Sequence, residues 1–239
     1  MAKSECVLAI FNPVAKCVQR AVIVIVAAAN ICVPTHAADD LLQIYAVKVV
    51  KTTPFEKPFS GDGVYLGDGA VITAAHVIGR LGFLKNPHVL IAGQNLPAKI
   101  IKEGAVDQTD LTVLSVDEER IPVSLRLRRN PLCRDPAKIG DKVVIVSSEK
   151  TDDAQIISPQ LIAPELRERF NTLVSVVGGS GSGVFDSERR CLMGIMSRKI
   201  MKLDYRREYG GVAAVPNGFA GYFVPASEIA HFIPSEFHF

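Results

Sequence analysis

The sequence predicts an all-β fold, and three observations support this prediction. Short runs rich in β-branched and aromatic residues recur along the chain at intervals of roughly 8–12 residues. Turn-forming residues, mainly Gly, Pro, Asn and Asp, separate these runs. Long helical periodicity is scarce. Because 239 residues can bury a sizeable core as one domain or two small ones, the pattern favours a β-barrel or β-sandwich.

The first half of the chain contains six predicted strands. The first covers Leu42–Val50, which alternates partly between apolar and polar residues. The next two flank Gly67-Asp68-Gly69, a sequence typical of a β-hairpin turn. The second to sixth predicted strands are Val64–Leu66, Ala70–Ile72, Val89–Ile91, Ala98–Ile101 and Leu111–Leu114.

The second half continues the pattern after a proline- and arginine-rich stretch, Arg126–Ala137, which is the predicted connector. A charged segment, Arg198–Arg207, is predicted to be a basic loop. One helix is predicted at Ala226–Phe232, because it begins just after Pro225 and a second proline follows it. The predicted strands of this half are Lys142–Val146, Gln155–Ile157, Leu173–Val176 and Leu192–Met196.

Residues 1–37 differ from the rest of the chain and are predicted to be a secretory signal peptide. A start that carries Lys3, Lys16 and Arg20 leads into an apolar run at 21–29 and then into Thr35-His36-Ala37. We expect cleavage after Ala37 or the following alanine. The apolar run is shorter than the roughly 20 residues that span a bilayer, but an uncleaved N-terminal anchor remains an alternative.

Charge and cysteine content exclude several classes of function. The net charge is +2, and removal of the leader makes the chain nearly neutral, so nothing indicates a nucleic-acid partner. No Cys-x-x-Cys or His-x-x-x-His spacing supports a metal site, and no cofactor is expected. Two of the five cysteines, Cys133 and Cys191, lie beyond the leader. An oxidising compartment would permit a disulfide between them, but the sequence leaves their pairing open.

Three residues form a potential acyl-transfer triad. His76 follows Val71-Ile72-Thr73-Ala74-Ala75, Asp110 precedes an apolar strand, and Ser180 lies in Gly178-Gly179-Ser180-Gly181-Ser182-Gly183. A serine hydroxyl needs a neighbouring base to remove its proton. A buried carboxylate holds that base in one tautomer. The sequence therefore predicts His76 as base, Asp110 as its orienting carboxylate and Ser180 as nucleophile.

Two other residues could take the roles of carboxylate and nucleophile. The site also needs an oxyanion hole. Asp107 lies near Asp110 but in a polar segment, and Ser182 is a second serine in the glycine-rich turn. Glycine permits close approach of the backbone to a substrate. We expect the backbone N–H groups of Gly178 and Ser180 to stabilise the developing oxyanion.

These motifs resemble those of trypsin-like, chymotrypsin-fold serine proteases, in which the triad follows the order His, Asp, Ser. Gly63–Val77 is similar to the histidine region of the bacterial HtrA-type and glutamyl-endopeptidase-type branches, and Gly178–Val184 to their nucleophile motif. The resemblance covers nearly all of residues 42–235. It implies two six-stranded Greek-key β-barrels with a short C-terminal helix. It assigns the first barrel to residues 38–130 and the second, with the specificity pocket, to 131–239.

The chain also departs from the pattern of that family. Gly179 occupies the place of the aspartate that pairs with a new N-terminus in trypsin, so activation by that ion pair is not expected. No PDZ domain is expected after the protease domain. By the same resemblance Val174, Met196, Ser197 and Gly221 line the substrate pocket. The apolar Val174 and Met196 imply a modest apolar pocket, without an anchor for Glu, Lys or Arg.

The sequence-based prediction is a secreted or periplasmic serine endopeptidase that acts on a polypeptide. The sequence does not specify which polypeptide is cleaved, the cleavage preference, the activation step or the oligomeric state. No stable membrane contact is expected if the leader is cleaved. A catalytically silent binding module of the same fold is one alternative. An esterase with His231 or His238 as base is another, but it requires Gly-x-Ser-x-Gly on a strand–helix elbow, and Ser182 occupies the position of the second glycine.

Overall fold

Two closed six-stranded β-barrels make up the fold, which confirms the predicted fold class. The computed structural model describes residues 41–53, 56–79, 86–208, 211–235 and 237. The leader predicted at 1–37 lies outside these residues. The neighbouring strands are β1-β2-β3-β6-β5-β4 in the first barrel and β10-β11-β12-β9-β8-β7 in the second. All strand pairs within the barrels are antiparallel.

The first barrel follows a helical turn at 41–43. Antiparallel pairing of β4 with β1 closes it. A buried apolar cluster fills its interior, with Val49, Tyr65, Val71 and Leu114 among its members. Its strands are β1 Ala46–Thr53, β2 Glu56–Gly67, β3 Ala70–Thr73, β4 Asn86–Ile91, β5 Gln94–Glu103 and β6 Thr112–Val116.

One helical turn, α1 (Ala75–Ile78), follows β3 and positions the histidine motif. The segment 117–141 then joins the barrels and contains the 3-10 turn η1 (Glu118–Arg120) and the short helix α2 (Val123–Arg126). The boundary predicted at residues 130 and 131 falls within this segment.

The second barrel is closed by pairing of β7 with β10. Helix α3 (Ala226–Phe232) follows it and agrees with the predicted helix. The 3-10 turns η2 (Pro159–Leu161) and η3 (Pro164–Leu166) lie between β8 and β9. The strands are β7 Lys142–Val146, β8 Thr151–Ile157, β9 Leu173–Val174, β10 Gly183–Asp186, β11 Leu192–Glu208 and β12 Gly211–Pro225.

The prediction of a basic loop at Arg198–Arg207 is wrong, because this segment continues β11. Its backbone pairs with β12 as far as Glu208 opposite Gly211. Register shifts between Met196 and Arg198, and again between Met201 and Leu203, interrupt the ladder. Side chains in a ladder that extends beyond a barrel need not be apolar on one face, so the charge pattern of this strand resembled that of a loop.

An apolar cluster that spans both barrels fixes the halves against each other. Val64, Ile72 and Leu111 of the first barrel belong to the same buried cluster as Phe185 and Ile195 of the second. Residues Ile229 and Phe232 of α3 complete it. The burial of this apolar surface stabilises the contact at roughly 25 cal/mol per Å². The predicted triad draws on both barrels, so this contact determines its geometry.

Candidate active site

His76 is held at the start of α1 by contacts with the Asp110 segment. The Ala75 N–H donates to Asp110 O at 3.1 Å, and the His76 N–H donates to Asp110 Oδ1 at 3.1 Å. Gly79, with φ of 73°, ends the turn. The imidazole is 29% exposed. The backbone therefore fixes the ring between the core and the solvent.

Asp110 is the carboxylate that contacts the imidazole. His76 Nδ1 lies 2.9 Å from Asp110 Oδ2 and 3.1 Å from Oδ1. Asp110 is only 2% exposed, and its φ of 48° falls in the left-handed region that Asp tolerates better than most residues. The competing Asp107 has a side chain that is 73% exposed and lies near Arg198. A carboxylate acceptor at Nδ1 favours the tautomer with the proton there, which leaves Nε2 free to act as a base.

Ser197, which the sequence predicted to line the substrate pocket, contacts this pair. Its hydroxyl donates to Asp110 Oδ2, and the residue is 3% exposed. The sequence assigned it to substrate binding only by resemblance. Its position directly after Met196 gave no signal of the hydroxyl's direction, because the bulge in β11 at this point decides it.

Ser180 lies in a tight turn of the second barrel that contacts the first. The Asp62 N–H donates to Ser180 O at 2.8 Å, and the Gly181 N–H donates to Met196 O at 2.8 Å. Gly181 has φ of 89°, and a β-carbon there would lie 1.9 Å from Asp62 O, so only glycine fits. Ser180 itself is partly exposed.

The structure brings the Ser180 turn next to the His76 helix. A β-carbon at Gly61 would meet both Val77 Cγ2 at 2.7 Å and Ser180 O at 3.0 Å, so these two segments meet at Gly61. Within the described residues, no hydrogen bond joins His76 to the Ser180 hydroxyl. Such bonds are often long before substrate binds.

Ser182, the rival nucleophile, is fully buried. It is 0% exposed, and its hydroxyl donates to Asp62 Oδ2 at 3.0 Å. A substrate cannot reach a hydroxyl in that position, so Ser180 is the accessible serine of the turn.

The amides predicted for the oxyanion hole are available. Among the described residues, neither the Gly178 N–H nor the Ser180 N–H donates to a protein acceptor. The Gly179 carbonyl is occupied, since it accepts from the Ser182 N–H at 3.1 Å. The two free N–H groups can therefore serve an incoming oxygen.

The remaining predicted pocket residues pack against one another. Val174 and Met196 are buried in the core cluster of the second barrel, and Val174 pairs with Gly221 across β9 and β12. A β-carbon at Gly221 would lie 2.8 Å from Met196 Sδ and 2.7 Å from Val176 O. The Met196 thioether therefore already fills the space beside Gly221.

Two basic residues further along β11, Arg198 and Lys199, are engaged by other groups. The Arg198 guanidinium donates to Val106 O and lies 3.9 Å from Asp107 Oδ1. The Lys199 ammonium lies 3.8 Å from the centre of the Phe219 ring, a cation–π contact.

The structure joins Cys133 to Cys191 in a disulfide, with 5.0 Å between their Cα atoms, a pairing that the sequence left open.

Asp186, at the end of β10 near this bridge, accepts hydrogen bonds from the N–H groups of Glu188 and Arg189. Burial opposes ionisation of Asp186, but the Arg189 backbone and guanidinium with the Glu188 N–H outweigh it, and they lower the pKa of this carboxyl below its usual value.

Two negative findings concern the described part of the chain. It contains no cluster of three or more His, Cys, Asp or Glu side chains that could hold a metal ion. None of its helices is long and apolar enough to cross a membrane.

The comparison with protein families gives a direct match. The model of the trypsin-like peptidase domain matches residues 61–195, which is more than half of the chain. The chain belongs to this family. The matched segment contains His76, Asp110 and Ser180. No curated protein sequence matched the chain in a direct comparison.

Solved structures share this fold. The Rv3671c protease of M. tuberculosis, in its active form, is 18% identical with a TM-score of 0.55, and the match covers 83% of this chain and 82% of that one. A serine endoprotease from Yersinia pestis is 20% identical with a TM-score of 0.54, covering 82% and 64%. An HtrA-type protease solved with a tripeptide is 17% identical with a TM-score of 0.55, covering 83% and 62%. The chain thus spans less than two thirds of the length of the Yersinia pestis endoprotease and of the HtrA-type protease.

Proposed function

We propose that this trypsin-like peptidase is a serine endopeptidase that hydrolyses peptide bonds through an acyl-enzyme. The buried Asp110 carboxylate, which accepts from the His76 imidazole and the Ser197 hydroxyl, is the observation that carries the proposal. A carboxylate buried in this way and bonded to a partly exposed imidazole is suited to general-base chemistry. The accessible Ser180 on the adjoining turn supplies the nucleophile.

The reaction follows from these positions. Ser180 Oγ attacks the scissile carbonyl carbon while His76 Nε2 takes the hydroxyl proton. The carbonyl oxygen becomes an oxyanion that accepts from the Gly178 and Ser180 N–H groups, each worth roughly 3–4 kcal/mol of barrier by analogy with measured donors. His76 then protonates the leaving amine, which leaves an ester on Ser180. Water then attacks the ester carbon as His76 takes its proton; the bond from that carbon to Ser180 Oγ breaks, the carboxylic acid leaves, and His76 returns the proton to Ser180 Oγ.

The predicted pocket residues support a preference for small, uncharged substrate side chains at the cleavage position. Met196 fills the space beside Gly221, and Val174 adds no charge. A longer or charged side chain would have to displace the buried thioether or lose its hydration.

We further propose that the chain is exported, with residues 1–37 as its signal peptide. The Cys133–Cys191 disulfide supports this, because such bonds persist in oxidising compartments and are rare in the cytosol.

The test of the activity is hydrolysis of an unfolded protein such as casein by the full chain. Ser180→Ala and His76→Ala should each abolish detectable cleavage, whereas His231→Ala, a histidine exposed on α3, should retain it. Equal cleavage by the parent and by Ser180→Ala would refute the proposal. A folded parent without activity on any polypeptide would favour the silent binding module.

A further inference from the structure

Asp62 on β2 reaches across from the first barrel to the turn that carries Ser180. Its Oδ1 accepts from the Ser148 N–H at 3.0 Å and from the Ser148 hydroxyl at 2.7 Å. Its Oδ2 accepts from the buried Ser182 hydroxyl at 3.0 Å. One carboxylate therefore joins β2, the turn between β7 and β8, and the nucleophile turn.

The backbone of Asp62 contacts the same turn. Its N–H donates to Ser180 O at 2.8 Å, and its carbonyl accepts from the Thr73 hydroxyl at 2.6 Å. A β-carbon at Gly179 would lie only 2.4 Å from Asp62 Oδ2. The carboxylate thus packs directly against the peptide between the two amides predicted to bind the oxyanion.

No salt bridge accounts for this carboxylate. Within the described residues Asp62 has no ion pair. The backbone of Lys48 in β1 lies opposite Asp62, but the Lys48 ammonium is bound to Glu149 at 2.7 Å. All three groups that donate to the Asp62 carboxylate are neutral and two belong to Ser148, an arrangement that calls for acceptors on both carboxylate oxygens. A structural ion pair is therefore not the function of this charge.

The nucleophile turn needs an external restraint. Gly178, Gly179 and Gly181 surround Ser180, and glycine loses more conformational freedom on ordering than any other residue. An oxyanion hole accelerates a reaction only when its donors are held in place beforehand.

We propose that Asp62 is a positioning residue that holds the Gly178–Ser182 turn in the shape in which the Gly178 and Ser180 N–H groups serve one oxyanion. The proposal rests on the proposed endopeptidase function for its catalytic consequence. Its structural consequence, an ordered turn, can be measured independently of activity.

Hydrogen–deuterium exchange of the full chain tests the structural part, with Asp62→Ala, Asp62→Asn and Asp186→Ala compared with the parent. Asp186 is the matched control, because it is a buried carboxylate that accepts several hydrogen bonds elsewhere in the second barrel. The hydrogen-bonded Gly181 and Ser182 N–H groups report on the turn, so peptides that cover residues 177–183 should exchange at least about tenfold faster at these amides in Asp62→Ala. They should exchange at an intermediate rate in Asp62→Asn, since an amide oxygen can still accept from Ser148, and at the parental rate in Asp186→Ala.

Kinetics tests the catalytic part on a peptide substrate. Asp62→Ala should lower kcat about 10–100-fold with KM changed less than about twofold, since loss of an oxyanion donor costs about 10²–10³ and this change only loosens the donors. Asp62→Asn should recover most of that loss, and Asp186→Ala should retain the parental kcat. Unchanged exchange in Asp62→Ala, or equal acceleration in Asp186→Ala, would overturn the proposal. An inert parent would refute the endopeptidase function instead, and the exchange result would still decide the role of Asp62.

Discussion

Replacement of Ser197 by alanine tests the hydrogen bonding that supports the catalytic pair. In the parent, Asp110 accepts from the His76 N–H, the His76 ring and the Ser197 hydroxyl. Ser197→Ala removes the last of these and leaves a carboxylate that is 2% exposed without a replacement from solvent. The change deletes a single oxygen, so packing is otherwise preserved.

The magnitude follows from the charge of the acceptor. A hydrogen bond to a charged group contributes about 1.5–3 kcal/mol, so we expect the free energy of unfolding to fall by that amount. For a domain of this size that corresponds to a decrease in Tm of about 3–12 °C. Both His76 contacts remain, so the rate of Ser180 acylation should fall only about tenfold, far less than the roughly 10⁴ that loss of the carboxylate's function costs in such triads.

Urea unfolding measures the first quantity and the rate of inactivation by a fluorophosphonate measures the second. Thr172→Val is the matched control, because the Thr172 hydroxyl is also a donor of the second barrel, but it donates at 2.5 Å to a neutral acceptor, the Phe223 carbonyl. It should cost about 1 kcal/mol and leave acylation unchanged. If Ser197→Ala matches this control in both measurements, the reasoning about Asp110 is wrong.

Three further predictions concern the second barrel. The Cys133–Cys191 disulfide, with a sequence separation of 58, should contribute about 4 kcal/mol to the free energy of unfolding through loop-closure entropy. Urea unfolding of the variant with both cysteines replaced by alanine should show this loss, and a loss below about 1 kcal/mol would contradict the prediction. The pKa of Asp186 is lowered in the folded state, so the stabilisation from its ionised carboxylate should be complete above its unfolded pKa of about 4 and disappear as the pH falls through the folded pKa. Asp186→Asn should therefore be less stable than the parent by about 1–3 kcal/mol at pH 7 and should approach the parental stability at pH 2. A stability difference that does not depend on pH would refute this prediction. Met196→Ala should shift cleavage in a peptide library towards larger apolar side chains, at a stability cost of about 2–5 kcal/mol, and an unchanged profile would exclude Met196 from the pocket.

Much of the fold could be predicted because period and turn chemistry are local properties. Strands such as Lys142–Val146 and the helix Ala226–Phe232 agree with the structure. Strand β10 (Gly183–Asp186) was missed, since its four residues follow a glycine-rich turn and are recognisable only by pairing with β7 and β11. The basic strand 198–207 was mistaken for a loop for a different reason: β12 follows it directly in a hairpin, but its charged residues lack the apolar alternation that marks a half-buried strand.

The site divides along similar lines. Residue type and order suggested His76, Asp110 and Ser180, because the chemistry restricts which side chains can act. The second donor to the carboxylate, Ser197, depends on a bulge, and the contacts of Asp62 depend on how the two barrels meet. Neither feature has a sequence period, so only the folded arrangement reveals them.

The most direct measurement of the central claim is mapping of a fluorophosphonate adduct by peptide mass spectrometry. The account predicts modification of Ser180 alone in the parent and in Ser182→Ala, none in Ser180→Ala, and a large reduction in His76→Ala. Modification of Ser182, or no modification of a chain that is folded, would contradict the assignment of Ser180 as an activated nucleophile.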